Sequence, residues 1–289
     1  MNRIAGALIA GFLLFAVAGP ATAESFLWHV KGAGGSVYLL GSMHLLPASA
    51  YPLPDAMEQA YRLSDVLVFE TDIGAVGQEE TQMGLLNAGM YPEGQTLMNE
   101  LNTGVLGPYA ETVQKLQLPV SMLNRYRPWL AALTIEMSVY AKHHFKAELG
   151  VDRHFYQKAV PANKEIITLE TVEEQGEFFT AMDSAMQQDY LRMTLESLDE
   201  IDYDPNELYE IWADGDDGDM EDLLELAQDD YPALYNRFIR ERNQKWLPVV
   251  LDLLKRDKNS LVVVGAMHLP GDHGLLQLLE NAGFDPEQM

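Results

Sequence analysis

The chain contains no cysteine, so disulfides, thiolate nucleophiles and thiolate metal ligands are all excluded, as is a lipid attached through a cysteine. Basic residues are also scarce. Against 19 Lys plus Arg stand 44 Asp plus Glu, a formal net charge of −25. That imbalance argues against nucleic acid or an anionic lipid surface as partner, and favours solubility and neutral or cationic ligands. Beyond the N-terminus no stretch is long and apolar enough to cross a membrane. Glycine is present in number, but Gly32, Gly34 and Gly35 sit between two extended runs. They form neither a dinucleotide fingerprint nor a phosphate loop.

The N-terminus has the order of a secretory signal: Met1-Asn2-Arg3, an apolar stretch from Ile4 to Val17, then Gly19-Pro20-Ala21-Thr22-Ala23, with cleavage expected after Ala23. The expectation is a signal over residues 1–23 and an exported protein, periplasmic or secreted. Export without disulfides suits a bacterial periplasm. The remainder, 24–289, is long enough for one large domain with a substantial core.

What the sequence does contain is an echo. Gly41-Ser42-Met43-His44-Leu45 follows the apolar run Val37 to Leu40, and Gly265-Ala266-Met267-His268-Leu269 follows Leu261 to Val264. Each copy reads as a short buried strand that ends at a glycine and then presents a histidine. Ligands and catalytic groups gather at the carboxyl ends of strands in open α/β sheets, so the placement suits chemistry. The plain counterpart is two histidines packed under a sheet. The echo also raises a pseudo-duplicated half.

Two further apolar runs end in carboxylates. Val66 to Phe69 leads to Glu70, and Ile166 to Leu169 leads to Glu170. Four strand ends therefore carry His44, Glu70, Glu170 and His268, all able to act as ligands or as acid/base groups. Phe26 to Val30 and Val37 to Leu40 read as a hairpin. Residues from about 78 to 149 read as a helical lobe, and 172–257 as almost wholly helical. Arg127, just ahead of a helix start, is a candidate for holding an anion or pairing at the surface. Asp152 is suited to cap the helix that follows Gly150. Pro232 opens a long helix bearing Arg240, Arg242, Asn243 and Trp246, one of the few gatherings of positive charge. The acidic run Asp214 to Asp219 lacks calcium-loop spacing and reads as an exposed interhelical turn. The fold class expected is α/β (α+β), with a small central sheet bearing the site at its strand ends and large helical insertions.

The ordered set, namely Gly41 to His44, Glu70, Arg127-Pro128-Trp129, Gly150-Val151-Asp152, Leu169-Glu170-Thr171, Arg242-Asn243 with Trp246, and Gly265 to Gly271, resembles the TraB/GumN family. That family also embraces TIKI metalloproteases and pheromone-shutdown proteins, and its fold is related to the erythromycin esterases. The resemblance covers essentially the whole chain after the signal. It implies an active site of His44, His268 and Glu70, and a metal-dependent peptidase acting on peptide termini. On that basis a divalent ion, zinc, manganese or cobalt, is expected on His44, Glu70 and His268. Glu170 would orient a ligand or act as base. Arg127 or Arg242 would hold a substrate carboxylate or the oxyanion, with Asn243 and Asp152 beside the substrate. Arg127 stands where the family leads us to expect lysine. Two other readings stay open: a metal-independent hydrolase in which a histidine oriented by a carboxylate activates water on an ester or amide, and a binding protein that scavenges a peptide, haem or metal without turnover.

Overall fold

Runs such as Val66-Leu67-Val68-Phe69 and Leu261 to Val264 are apolar at every position, the pattern of strands covered on both faces. The computed structural model describes residues 24–199 and 204–289, so the expected signal over 1–23 lies outside the described residues. Six strands form one sheet: β1 (Leu27–Lys31), β2 (Ser36–Ser42), β3 (Val66–Phe69), β4 (Glu165–Thr168), β5 (Ser260–Gly265) and β6 (Glu287–Gln288), in the order β4-β3-β5-β2-β1-β6. The β1–β2 pair is the expected hairpin, antiparallel with Leu27 opposite Leu40. β4, β3, β5 and β2 are mutually parallel. β6 at the C-terminus, which no apolar pattern announces, pairs antiparallel with β1.

β5 is the centre. It pairs with β2 on one side and β3 on the other, and its residues Leu261 to Val264 are all buried. Helices close both faces of such a sheet because parallel strands need crossover connections. The helix Val151–Ala159 contributes Val151, Phe155 and Ala159 to the main core, and the helix Glu241–Leu253 contributes Trp246, Val250 and Leu253. A mixed α/β architecture is thus the fold of this chain.

A second core belongs to the helical lobe. Leu97, Val105, Tyr109, Trp129 and Ile135 pack there, and the lobe is completed from later sequence by Tyr190, Leu191 and Leu195 of the helix Ser184–Asp199 and by Leu234. The last turn of Pro128–Lys142 faces the other way, since Tyr140 joins the sheet core together with Phe145. The acidic stretch expected to be a turn is one only at its centre: a helix ends at Asp214, Gly215 takes φ +72°, and Asp216 caps the next helix by accepting from the Asp219 amide, so Asp217 and Asp219 belong to that helix's first turn. Among the described residues, no helix is long and apolar enough to cross a membrane.

Since Phe69 is fully buried at the end of β3, directly before Glu70, its truncation tests how far the sheet carries the fold. Phe69→Ala is expected to cost about 3–5 kcal/mol, read as a lowered urea midpoint with an unchanged m-value.

Candidate functional site

The register of the parallel strands brings their carboxyl ends to one edge. Phe69 lies level with Val263 and Thr168, and Val263 with Leu40, so the residues that follow each strand leave the sheet together. Backbone pairing runs one residue past β3 and two past β4: the Leu169 amide donates to the Phe69 carbonyl at 3.0 Å and the Glu170 amide to the Glu70 carbonyl at 2.9 Å. The two glutamates are therefore neighbours by construction.

Arg242 reaches this edge from the other side. The turn before it, Asn236–Arg240, is π-helical. A π turn takes in an extra residue and rotates the face that follows, a device common at functional sites. Here it precedes the first turns of the helix Glu241–Leu253, whose Arg242, Asn243 and Trp246 are all buried. The Arg242 guanidinium then commits all five of its N–H donors. Nη2 donates to Glu70 Oε2 at 2.5 Å and to Glu170 Oε1 at 2.6 Å; Nε donates to Glu170 Oε2 at 3.2 Å. Nη1 donates to His268 Nε2 at 3.0 Å and to the Phe238 carbonyl at 3.4 Å. The rings of Trp246 and Phe178 lie 4.5 and 4.8 Å from its central carbon, holding the cation between two aromatic faces.

His268 closes the cluster. Its Nδ1 stands 2.7 Å from Asn243 Oδ1, while Asn243 Nδ2 donates to the backbone carbonyls of His268 and His273. Since the asparagine oxygen can only accept and Arg242 can only donate, the imidazole must carry its proton on Nδ1 and present a lone pair at Nε2. Asn243 is fully buried behind His268 and works on that ring. Glu70 Oε1, 3.9 Å from His268 Nε2, accepts from the Gly265 amide at 2.7 Å. A side chain at Gly265 would place its Cβ 3.3 Å from that same oxygen, so the glycine of the second motif makes room for the carboxylate.

His44 lies at the open rim. Its Nδ1 is 3.2 Å from Asp152 Oδ1, and 58% of its side chain is in solvent. Nε2 has no hydrogen-bond partner among the described residues. The pairing depends on a close dock between the loop after β2 and the start of the helix Val151–Ala159. The Val151 amide donates to the Met43 carbonyl, and a Cβ on Gly150 would fall 2.3 Å from the His44 carbonyl oxygen. Asp152 does not cap this helix, as the sequence led us to expect. The cap position is Gly150, and Asp152 stands in the first turn with its carboxylate turned to His44.

The electrostatics follow from these contacts. Burial alone would raise Glu70, but Arg242, the two histidines and the Gly265 amide outweigh it and hold the carboxyl down at about 2. Burial raises Glu170, against the pull of Arg242. Burial also keeps His268 neutral, lowered to about 3, and Arg242 adds to the effect. Asp152, with a smaller contribution from Glu70, raises His44 to about 9 against the opposing effect of burial. Because water reaches the His44 ring, that pair adds little to stability.

The edge thus brings together Glu70, Glu170, Arg242, Asn243 and His268, with His44 and Asp152 at the rim. Arg127 is elsewhere. Its guanidinium lies 5.1 Å over the Tyr91 ring, and its amide donates to the Gly89 carbonyl, both in the helical lobe. Phe178, which sandwiches the cation, was not singled out from sequence. It sits on the helix Val172–Thr180 that follows Glu170, and its position there is the only signal.

The family model described as TraB/PrgY/gumN matches residues 26–288. Among curated proteins, the uncharacterized protein YbaP of Escherichia coli (strain K12) is 23% identical over 252 residues, covering 84% of this chain and 87% of the relative. YbaP of Shigella flexneri matches to the same extent. No solved structure matches the chain.

The buried neutral imidazole has a thermodynamic signature. His268 is lowered from 6.5 to about 3, so the unfolded chain binds a proton there that the folded chain does not, and stability falls as pH drops through that window. Glu70 contributes only below its ordinary 4.5. Between pH 6.5 and 5 the loss attributable to His268 is therefore expected to approach about 1.4 kcal/mol per pH unit. Urea unfolding at several pH values checks this: His268→Gln should flatten the slope, and an identical slope in both proteins would refute the assignment.

Proposed function

Because the chain belongs to the TraB/PrgY/gumN family, we propose that it is a hydrolase of ester or amide carbonyls, such as those of peptides, in which His44 is the base. The observation that supports this most is the His44–Asp152 pair, a half-exposed imidazole held at Nδ1 with Nε2 open, on the edge that carries the charged cluster. In its neutral form His44 keeps the proton on Nδ1 toward Asp152 and offers the Nε2 lone pair outward. There it takes a proton from water as the oxygen attacks the carbonyl, and returns it to the departing oxygen or nitrogen. Asp152 orients the ring and stabilises the imidazolium that forms. The buried cluster holds the strand ends in place and is not in contact with the reacting atoms.

The finer expectation from the resemblance was a metal-dependent peptidase with the ion on His44, Glu70 and His268. In this arrangement the residues fit a divalent ion poorly. The lone pair of His268 Nε2 and the Oε2 atom of Glu70 already accept from Arg242, and Glu70 Oε1 takes the Gly265 amide, so of the three residues only His44 keeps an open lone pair, at Nε2. Among the described residues, no three His, Asp or Glu side chains converge as a metal site would require. No step is therefore routed through a metal. Action outside the cytoplasm is part of the proposal and rests on the signal-like order of residues 1–23.

Tag-free protein assayed on a panel of peptides and esters tests the proposal. His44→Ala is expected to lower kcat/KM by about 10²–10⁴-fold. Only neutral His44 is a base and Asp152 raises its pKa, so the rate should climb with pH through a midpoint above the ordinary imidazole range. Asp152→Asn should move that midpoint down and lower the plateau. Chelators should leave turnover unchanged. Loss on stripping with return on adding a metal would favour the metallopeptidase, and tight retention of a ligand without turnover of any substrate would favour a binding protein.

A further inference from the structure

We propose that Arg242 is the resident cation of the strand-edge site and that it keeps divalent metal ions off Glu70 and His268. The case rests on lone pairs and buried charge. An imidazole nitrogen has one lone pair; that of His268 Nε2 accepts from Arg242 Nη1 at 3.0 Å, and the other nitrogen carries the proton given to Asn243. His268 therefore has nothing left to offer a metal. Both oxygens of Glu170 and one of Glu70 accept from the same guanidinium. The remaining oxygen, Glu70 Oε1, takes the Gly265 amide. An ion bound at the usual distance of about 2.0–2.2 Å from Glu70 and His268 would sit against a guanidinium that cannot lose its proton.

Displacing Arg242 is the alternative, and three features oppose it. The Glu170 side chain is fully buried, so withdrawing the cation would leave an uncompensated charge there. The guanidinium is held between the Trp246 and Phe178 rings. Its backbone is anchored by the adjacent Asn243, whose side chain is bonded to the His268 and His273 carbonyls. The permanent charge that a metal would supply is already in the fold, covalently attached and fully bonded.

Calorimetric titration of tag-free protein with Mn²⁺, Co²⁺ and Zn²⁺ tests this without any substrate, so it stands or falls separately from the hydrolase proposal. The acidic surface provides weak sites common to all variants; the informative quantity is the binding that Glu70→Gln or His268→Gln removes. Wild-type protein is expected to show none. Arg242→Ala should gain such binding, at least about tenfold tighter than the weak surface sites, and that gain should vanish when His268→Gln is added. Arg242→Met keeps the stem against the aromatic rings and serves where the alanine variant does not fold; circular dichroism verifies folding of each protein. One equivalent of metal bound by wild type and lost in Glu70→Gln or His268→Gln would overturn the proposal. So would a folded Arg242 variant that takes up no more metal than wild type.

Discussion

A single buried positive charge is the constraint on which the carboxyl edge of this sheet depends. Two glutamates placed side by side by β3 and β4 cannot both be ionised in a buried setting without a counter-charge, and Arg242 supplies it from a helix far away in sequence. Its fork geometry lets one residue bond two carboxylates and an imidazole at once, which a lysine ammonium could not do in one plane. A buried ion cluster of this kind is weak evidence for stability by itself, because desolvation consumes most of the Coulomb gain. Its consequence is geometric. Glu70, Glu170 and His268 have one arrangement in which every donor and acceptor is satisfied.

The rest of the architecture serves that arrangement. Parallel pairing of β4, β3, β5 and β2 brings four strand ends to one level. The π turn at Asn236–Arg240 sets the face on which Arg242, Asn243 and Trp246 enter. Gly265 leaves space for a carboxylate oxygen, and Gly150 lets the helix Val151–Ala159 dock against the His44 backbone. Each is a local choice that would be neutral or mildly unfavourable in isolation, and each is explained by the cluster it permits.

Much of this edge was legible from the sequence because strand ends announce themselves. An apolar run of four or five residues followed by His or Glu gives both the element and the polarity switch, and His44, Glu70, Glu170 and His268 all came from that pattern. The helical lobe was legible over its early part from periodicity. Its completion by the helix Ser184–Asp199 was not, because apolar spacing reveals a buried face without naming what covers it. The Asp152 partnership was hidden for a similar reason. A carboxylate at a helix start is suited to capping, and only the dock of Gly150 on His44 turns it outward from the helix. The surroundings of Arg127 were not legible, because a cation ahead of a helix looks the same whether it meets a ligand or a tyrosine ring. The π turn leaves no pattern at all in one sequence.

The two Gly-x-x-His motifs show how little the motif itself decides. Both histidines follow parallel strands that are direct neighbours in the sheet, with Ser42 at the end of β2 level with Gly265 at the end of β5. β2 enters from a hairpin and β5 follows a helix, so the surroundings differ on the solvent side. His44 reaches water and faces the Asp152 carboxylate, which favours its charged form. His268 is buried against a guanidinium, which disfavours its charged form. Environments that push two like groups in opposite directions divide acid/base work between them. In the proposed hydrolase that division gives proton transfer to the rim histidine, while the buried one accepts a hydrogen bond from Arg242. Within the site two cations face three carboxylates, Arg242 against Glu70 and Glu170 and His44 against Asp152, so each histidine's charge state is set by its immediate neighbours.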